Sequence, residues 1–276
     1  MTPGRQMKPI ILFRVDHDTE RELEAAQRYF PVVEIRSAVP ANRLVIGRYS
    51  VLPFYKELEK DIECCASKLI NTHRQHRYIA DMGNWYRDLV LYTPKTWTRL
   101  EAVPAESYPI IIKGETNSKK FLWDTHMFAT DQRSAVDVVS NLTNDGIIGD
   151  QSLYFRQYVP LKKYLNGFRE MPVTKEFRCF VLDGRVLTKA FYWSNYLDDV
   201  EQMTGELPNP DDIPEQFLQT VIDQVGKNAR FYVIDVAQTE DGEWIVIELN
   251  DGQMSGLSVT DPDELYRKLA EMVSFP

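Results

Sequence analysis

The chain has 276 residues, 43% hydrophobic and 26% charged, with 32 Lys and Arg against 41 Asp and Glu for a formal net charge of −9. Those fractions exclude wholesale disorder, collagen and coiled coil, and the length suits two domains or one large one. The acidic balance argues against generic nucleic-acid binding, and apolar runs such as Pro9–Phe13 and Tyr108–Ile112 fall far short of a membrane span.

The amino-terminal third alternates strand and helix. Ile10–Val15 reads as a buried strand, Asp18–Tyr29 as an amphipathic helix, and Val32–Ile35 and Leu44–Ile46 as strands. A helix over Pro53–Cys65, a short strand Lys68–Asn71 and a helix His73–Ala80 follow. Strands separated by helices build βαβ units around a mostly parallel sheet. Tyr92–Thr96 is a linker, because Pro94 steers Thr93 out of the helical region. Beyond it, Ile110–Ile112 leads directly into Lys113, and Leu153–Val159 is a strand stopped by Pro160. Phe177–Leu182 and Val186–Phe191 flank Asp183-Gly184, the turn chemistry that two-residue hairpins prefer. A second hairpin, Phe231–Ala237 with Trp244–Leu249, closes around Glu240-Asp241-Gly242. An acidic, proline-rich loop (Gly205–Pro214) and a helix at Glu215–Val225 lie between the hairpins, and an amphipathic helix, Asp261–Val273, follows them with Asp261 as its cap. The carboxyl-terminal part is therefore antiparallel sheet plus helix, unlike the amino-terminal part.

Cys64, Cys65 and Cys179 are an odd set without C-x-x-C spacing and read as small buried hydrophobes. No export signal opens the chain, so a reducing cytoplasm is expected. Of His17, His73, His76 and His126, only His73 and His76 share a helix face, and no third ligand lies near them in sequence. No zinc site is expected.

The sharpest constellation is in the last hairpin. Glu248 and Asn250 point to one face of their strand, and the hairpin can set Asp235 beside them. Three oxygen ligands suit a hard divalent cation such as Mg²⁺; the plain alternative is a polar face meeting water. Lys113 can neutralise a phosphate as a point charge, and Asn117-Ser118-Lys119-Lys120 can fold over phosphates; a solvated strand end explains Lys113 as well. Gln157, Tyr158 and Val159 end a strand abruptly and expose its backbone, as an edge strand also would. Glu176 and Arg178 alternate with Phe177 and Cys179, and Lys189 lies on the returning strand. Two cations on one face repel unless an anion sits between them, which makes Arg178 and Lys189 a phosphate or carboxylate clamp or, equally, a solvated pair.

In this order the motifs resemble the ATP-grasp superfamily, which includes glutathione synthetase, D-alanine–D-alanine ligase and the ribosomal-protein glutamate ligases. The chain is most similar to the bacterial and phage clade named for two arginines and a lysine. The spacing from Asp235 to Glu248, the E-x-N form and Ser255-Gly256 carry the resemblance, while Asn71 and Asp81 resemble the pair that precedes the linker and T-P-K-T the linker itself.

The resemblance implies an α/β (α+β) ATP-grasp fold. A parallel-sheet pre-grasp domain would span residues 1–93, followed by two α+β subdomains, 94–160 and 161–276, enclosing the nucleotide. It implies ATP and Mg²⁺ as cofactors, the metal on Asp235, Glu248 and Asn250. Lys113, with Ser118, Lys119 or Lys120, would meet the phosphates. Gln157, Tyr158 and Val159 would meet adenine, with Glu176 also at the nucleotide. Arg178 and Lys189 would stabilise the transferred phosphoryl group. The implied function is an ATP-dependent carboxylate–amine ligase working through an acyl phosphate. Its partners would be ATP, a carboxylate-bearing small molecule, peptide or protein, and an amine, with no nucleic acid and no membrane. An ATP-grasp phosphotransferase and an ATP-binding assembly factor or chaperone are the alternatives.

Several positions depart from the family pattern. Met82 replaces a lysine, Gly114-Glu115 follows Lys113 where proline is usual, the stretch between Glu115 and Lys120 lacks glycine, and Val233 stands where several ligases keep arginine. These bear on acceptor chemistry more than on ATP binding. Any two of Arg14, Arg43 and Arg48 converging on the cleft would suit an anionic substrate, though each also reads as a surface arginine. Trp85, Tyr86, Tyr192, Trp193 and Tyr196 fit a peptide groove or core packing equally well.

Overall fold

Residues 8–15 and 19–273 are described, from a computed structural model. Strand β1 (Ile10–Phe13) lies between β2 (Val32–Val33) and β3 (Leu44–Arg48), with β4 (Lys68–Leu69) at the edge, all parallel. Helix α1 (Glu20–Tyr29) covers one face and α2 (Tyr55–Cys64) the other. Ile11, Phe13, Leu44 and Ile46 pack with Ala25 and Ala26, whereas Leu12 and Val45 pack with Leu58 and Ile62. Two-sided burial is why these strands read as unbroken apolar runs. Helix α3 (His73–Ala80) opens with a capping box between Thr72 and Gln75, and Asp81 caps the short α4 (Met82–Trp85). His17 and the Asp18 start expected for the first helix lie outside the described residues.

The second sheet has the order β5 (Thr96–Trp97), β8 (Leu153–Gln157), β6 (Ile110–Gly114), β7 (Phe128–Ala129) and is antiparallel. A turn of helix, α5 (Trp123–His126), precedes β7, and α6 (Gln132–Thr143) closes one face by packing Ala135, Val138 and Leu142 against Ile110 and Ile112. Ile111 and Lys113, at the alternate positions of β6, face the other way into a cleft. The expected linker runs along the last strand of the chain's main sheet, with Thr93 Oγ1 donating to Val246 O at 2.8 Å and Val246 N donating to Tyr92 O at 2.7 Å.

A small hairpin, β9 (Lys163–Asn166) with β10 (Pro172–Thr174), leads into the main antiparallel sheet. Its order is β12 (Arg185–Phe191), β11 (Glu176–Leu182), β13 (Phe231–Gln238), β14 (Trp244–Asp251). Helices α7 (Leu197–Thr204) and α8 (Glu215–Val225) lie between the two hairpins, and α9 (Pro262–Met272) ends the chain, capped by Asp261. One face packs Phe177, Val181 and Ile234 against Ile79, Trp85 and Val221. On the other, Phe180, Phe231 and Val233 join Ala26 and Leu269, which ties this sheet to the parallel one. Arg28 and Tyr29 of α1 donate to Asp263 of α9 at 2.6 and 2.9 Å, closing that contact at its rim.

Both main hairpins are bulged. At the first turn Asp183 (φ 45°) and Gly184 (φ 79°) are both left-handed, which matches the right-handed strand twist. Val181 then pairs with Val186 but Phe180 with Thr188, so Leu187 is an extra residue. In the second hairpin Val236 pairs with Val246 but Asp235 with Glu248, which makes Ile247 the extra residue. Cys179 is buried, and burial pushes its thiol up to about 12. Cys64 is exposed and Cys65 half-buried, against the expectation of three buried thiols, because they end a surface helix. No helix among the described residues is long and apolar enough to cross a membrane.

Candidate nucleotide and metal site

The site grows from the register of the main sheet. Arg178 pairs with Asp235 across β11 and β13, and Asp235 pairs with Glu248 across β13 and β14. Directly opposed residues share a face, so these three side chains stand in a row. Asp235 is wholly buried and takes a bidentate pair from Arg178, Nε to Oδ1 at 2.9 Å and Nη2 to Oδ2 at 2.8 Å. Asn250 Nδ2 lies 3.5 Å from Asp235 Oδ2, and Glu248 is ion-paired with Lys113. Burial alone would push the Glu248 carboxyl up, but the ammonium groups of Lys113 and Lys120 outweigh it and hold it below the ordinary range. Burial pushes the Lys113 ammonium down, and the charges of Arg156 and Lys120 add to this. Among the described residues no three His, Cys, Asp or Glu side chains are grouped so that they alone could hold a metal ion. The donor set is thus two carboxylates and one amide, all oxygen, which fits a hard dication. Arg178 and Lys113 are the cations such an ion would compete with.

A cleft opens beside this row between the second sheet and the main sheet. Lys113, Ser118, Lys120, Gln157, Tyr158, Val159 and Glu176 all line it, among apolar walls that include Ile111, Met127 and Ile245. Tyr158 and Phe128 meet edge to face at 5.2 Å, and Trp123 stacks on Phe128 at 5.4 Å. Three side chains lining the cleft carry buried polar atoms with no hydrogen-bond partner, namely Arg156 Nε, Thr174 Oγ1 and Trp193 Nε1. Buried polar groups are normally paired, so unpartnered donors in one apolar cleft fit a ligand that brings acceptors. Arg156 also donates to the bulged Ile247 O at 2.7 Å and to Thr93 Oγ1 at 2.7 Å, and burial pushes its guanidinium down to about 10.

Ser118 and Glu248 line a second, polar cavity as well, together with Arg178, Asn250 and His76. The loop between the two cavities is held by Gln151, which accepts from Thr116 N at 3.1 Å and donates to Asn117 Oδ1 at 2.9 Å. A Cβ at Gly114 would lie 2.4 Å from Gln151 Oε1, so this bracing requires glycine after Lys113.

The model of the ATP-grasp domain, family 3 of the clade named for two arginines and a lysine, matches residues 100–269. The chain belongs to the ATP-grasp family. Solved structures share the fold across nearly the whole chain. An ATP-grasp RimK domain protein from Sphaerobacter thermophilus superposes with a TM-score of 0.62 at 17% identity, covering 97% of this chain and 99% of that one. D-cycloserine synthetase gives 0.58 at 15%, covering 95% and 99%. The ATP complex of D-alanine–D-alanine ligase from Bacillus anthracis gives 0.53 at 11%, covering 95% of each chain. No curated protein matches this chain. The expected fold class, an ATP-grasp fold with one parallel and several antiparallel sheets, is the observed one.

Within this ATP-grasp chain, some expected placements change. Lys189 does not join Arg178. The Leu187 bulge pairs it with Cys179, on the opposite face, where it forms an ion pair with the exposed Asp211 at 2.6 Å. Arg178 instead shares the Tyr192 ring with Lys120, their charged groups 4.9 and 3.9 Å from its centroid. Burial opposes the Lys120 charge, but Glu176, Tyr192 and Glu248 outweigh it and raise the ammonium above its ordinary value. Lys119 turns to Asp145 at 2.7 Å and lines neither cavity.

The three arginines do not converge. Arg48 is a buried strut, bonded to Glu22 at 2.8 Å and to the carbonyls of Gly252 and Ser255. Arg43 donates to Lys8 O, and Arg14 lies over the Tyr49 ring at a surface groove. Trp85 is a core residue, and so are Met82 and Val233, which accounts for those two departures from the family pattern. Arg156, Thr174 and His76 line the cavities without having been singled out as site residues. Only Arg156 carried a signal, a charged residue inside an aromatic-rich strand.

Proposed function

We propose that the protein is an ATP- and Mg²⁺-dependent ligase that joins a carboxylate to an amine through an acyl phosphate. The observation that carries this reading is the junction of the two cavities at Ser118 and Glu248. The apolar cleft suits adenosine, and the polar one offers a second substrate a place at the phosphate end, beside Arg178 and Asn250. The ligases among the fold relatives, D-alanine–D-alanine ligase and D-cycloserine synthetase, support it.

In this reading residues 1–93 are the pre-grasp domain, and 94–160 and 161–276 the two halves of the grasp. Gln157, Tyr158 and Val159 hold adenine, with Arg156, Thr174 and Trp193 supplying hydrogen bonds. Asp235, Glu248 and Asn250 hold Mg²⁺, which offsets charge on the phosphates when bound. Lys113, Lys120 and Arg178 do the same from the protein side, in a site largely closed to water, where fixed charges act most strongly on phosphoryl transfer. The carboxylate oxygen bonds to the γ-phosphorus as the bond to the β-phosphate oxygen breaks and ADP leaves. The amine nitrogen then bonds to the acyl carbon, phosphate departs with the electron pair of the broken carbon–oxygen bond, and one N–H proton is released.

The test is ADP and phosphate release from purified protein with Mg·ATP and a matrix of carboxylates and amines. Phosphate release only when both partners are present is the expected result. Stoichiometric γ-phosphate transfer onto one acceptor would instead identify a phosphotransferase, and tight nucleotide binding without turnover an assembly factor.

A further inference from the structure

His76 stands in the wall of the polar cavity and belongs to none of the groups assigned so far. It projects from α3 toward the end of β14, where its Nδ1 lies 3.0 Å from Asp251 Oδ2, with side chains only 3% and 1% exposed. Asp251 Oδ1 already accepts from Asn71 Nδ2 at 3.1 Å and from Gln253 N at 2.9 Å, and Gln253 Nε2 lies 3.3 Å away. Asp251 Oδ2 faces Nδ1 across that contact, and a carboxylate oxygen accepts, which assigns the ring proton of His76 to Nδ1. The Nε2 lone pair is then free. Nothing among the described residues hydrogen-bonds to Nε2, although the ring is almost wholly buried and lines the cavity with Arg178, Glu248 and Asn250.

The ring is also held rigidly. It stacks on Tyr55 with centroids 4.0 Å apart and planes 3° from parallel. Tyr55 OH in turn donates to Asn71 O at 2.6 Å and accepts from Gln253 Nε2 at 2.7 Å. A ring that lines a cavity, with one nitrogen oriented by a carboxylate and the other without a hydrogen-bond partner among the described residues, has the arrangement of a general base.

We propose that His76, oriented by Asp251, accepts the proton released when the amine attacks the acyl phosphate. The proposal rests on the ligase reading and names the group that this reading leaves open. As the carbon–nitrogen bond forms and phosphate leaves with its electron pair, the N–H proton passes to His76 Nε2 and then to water. Arg178, lining the same cavity, stays on the phosphate side of the reaction.

Two measurements test it. In protein labelled with ¹⁵N-histidine, the four ring systems of His17, His73, His76 and His126 are resolved, and His76 is assigned by its loss in His76→Gln. The neutral ring is expected as the Nδ1–H form with unprotonated Nε2, and an Nε2–H form would overturn the proposal. In the ADP-release assay, His76→Gln should lose about 100-fold or more in amide formation with an alkylamine. The protonated nitrogen formed when hydroxylamine attacks is far more acidic than an alkylammonium and loses its proton to water unaided, so its reaction should change by less than about twofold. Equal losses with both nucleophiles would also overturn the proposal. A wild-type protein that releases no ADP with any pair would defeat the ligase reading instead, and the tautomer would still decide the role of the ring.

Discussion

The two hairpins of the main sheet carry the same irregularity and opposite consequences. Each has one extra residue in its returning strand, Leu187 in β12 and Ile247 in β14. Counted outward from its turn, an unbulged first hairpin would set Lys189 opposite Arg178, and an unbulged second one would set Glu248 opposite Ile234. The first bulge therefore removes a cation from the site, and the second delivers a carboxylate to it. A one-residue shift exchanges the faces of every side chain beyond it. The bulged Ile247 carbonyl is itself satisfied by Arg156, so the irregularity in β14 is built into the cleft. Leu187 is wholly buried beside Phe180, so in β12 the bulge is paired with core packing.

The largest effects should come from the row that the second bulge completes. Glu248→Gln should lower ATP turnover by at least about 100-fold in a coupled ADP assay. Asp235→Ala should in addition cost about 3–5 kcal/mol in urea unfolding, because it leaves a buried guanidinium unpaired. Next comes the contrast between hairpin cations. Arg178→Gln should lose about 100-fold in kcat, whereas Lys189→Gln should stay within about twofold. Equal losses would mean that the bulge does not separate them.

The register itself can be read chemically. Lys189→Cys places a thiol opposite Cys179, so it should oxidise to a cross-strand disulfide visible by non-reducing mass analysis. Thr188→Cys, on the other face, should not.

The smallest effect concerns Lys119, whose hydrogen bond holds the Asp145 carboxyl down at about 2, below its ordinary 3.8. A carboxyl depressed by folding contributes stability above its unfolded value and loses it as pH falls through the folded one. Lys119→Ala should therefore lower Tm slightly near neutral pH, and its Tm should converge on that of wild type as pH falls toward about 2. Turnover should not change.

Much of this molecule was legible in its sequence. Periodicity and turn residues located both main hairpins, Glu215–Val225 and the parallel sheet, and the Asp235, Glu248, Asn250 spacing located the oxygen row. The losses have physical causes. A bulge leaves no mark in a strand pattern, so Lys189 could be placed only by the three-dimensional register. Helix α6 carries its signals, Asp131 as a cap and Ala135, Val138 and Leu142 on one face, in a stretch to which the sequence reading assigns no element. The hairpin at 163–174 is short, half exposed and bulged, which leaves little alternation to read. His76 looked like one polar residue on a helix, because its partner Asp251 is 175 residues away. Long-range polar pairs of that kind are set by the fold, whereas apolar periodicity is local.

The proposal at the centre of this picture is that the bulge at Ile247 builds a metal–phosphate site from Asp235, Glu248 and Asn250. Calorimetric titration of a non-hydrolysable ATP analogue, with and without Mg²⁺, tests it most directly in wild type, Glu248→Gln and Lys189→Gln. Mg²⁺-dependent binding is expected in wild type and Lys189→Gln, with loss of that dependence in Glu248→Gln. Undiminished Mg²⁺-dependent affinity in Glu248→Gln would contradict it.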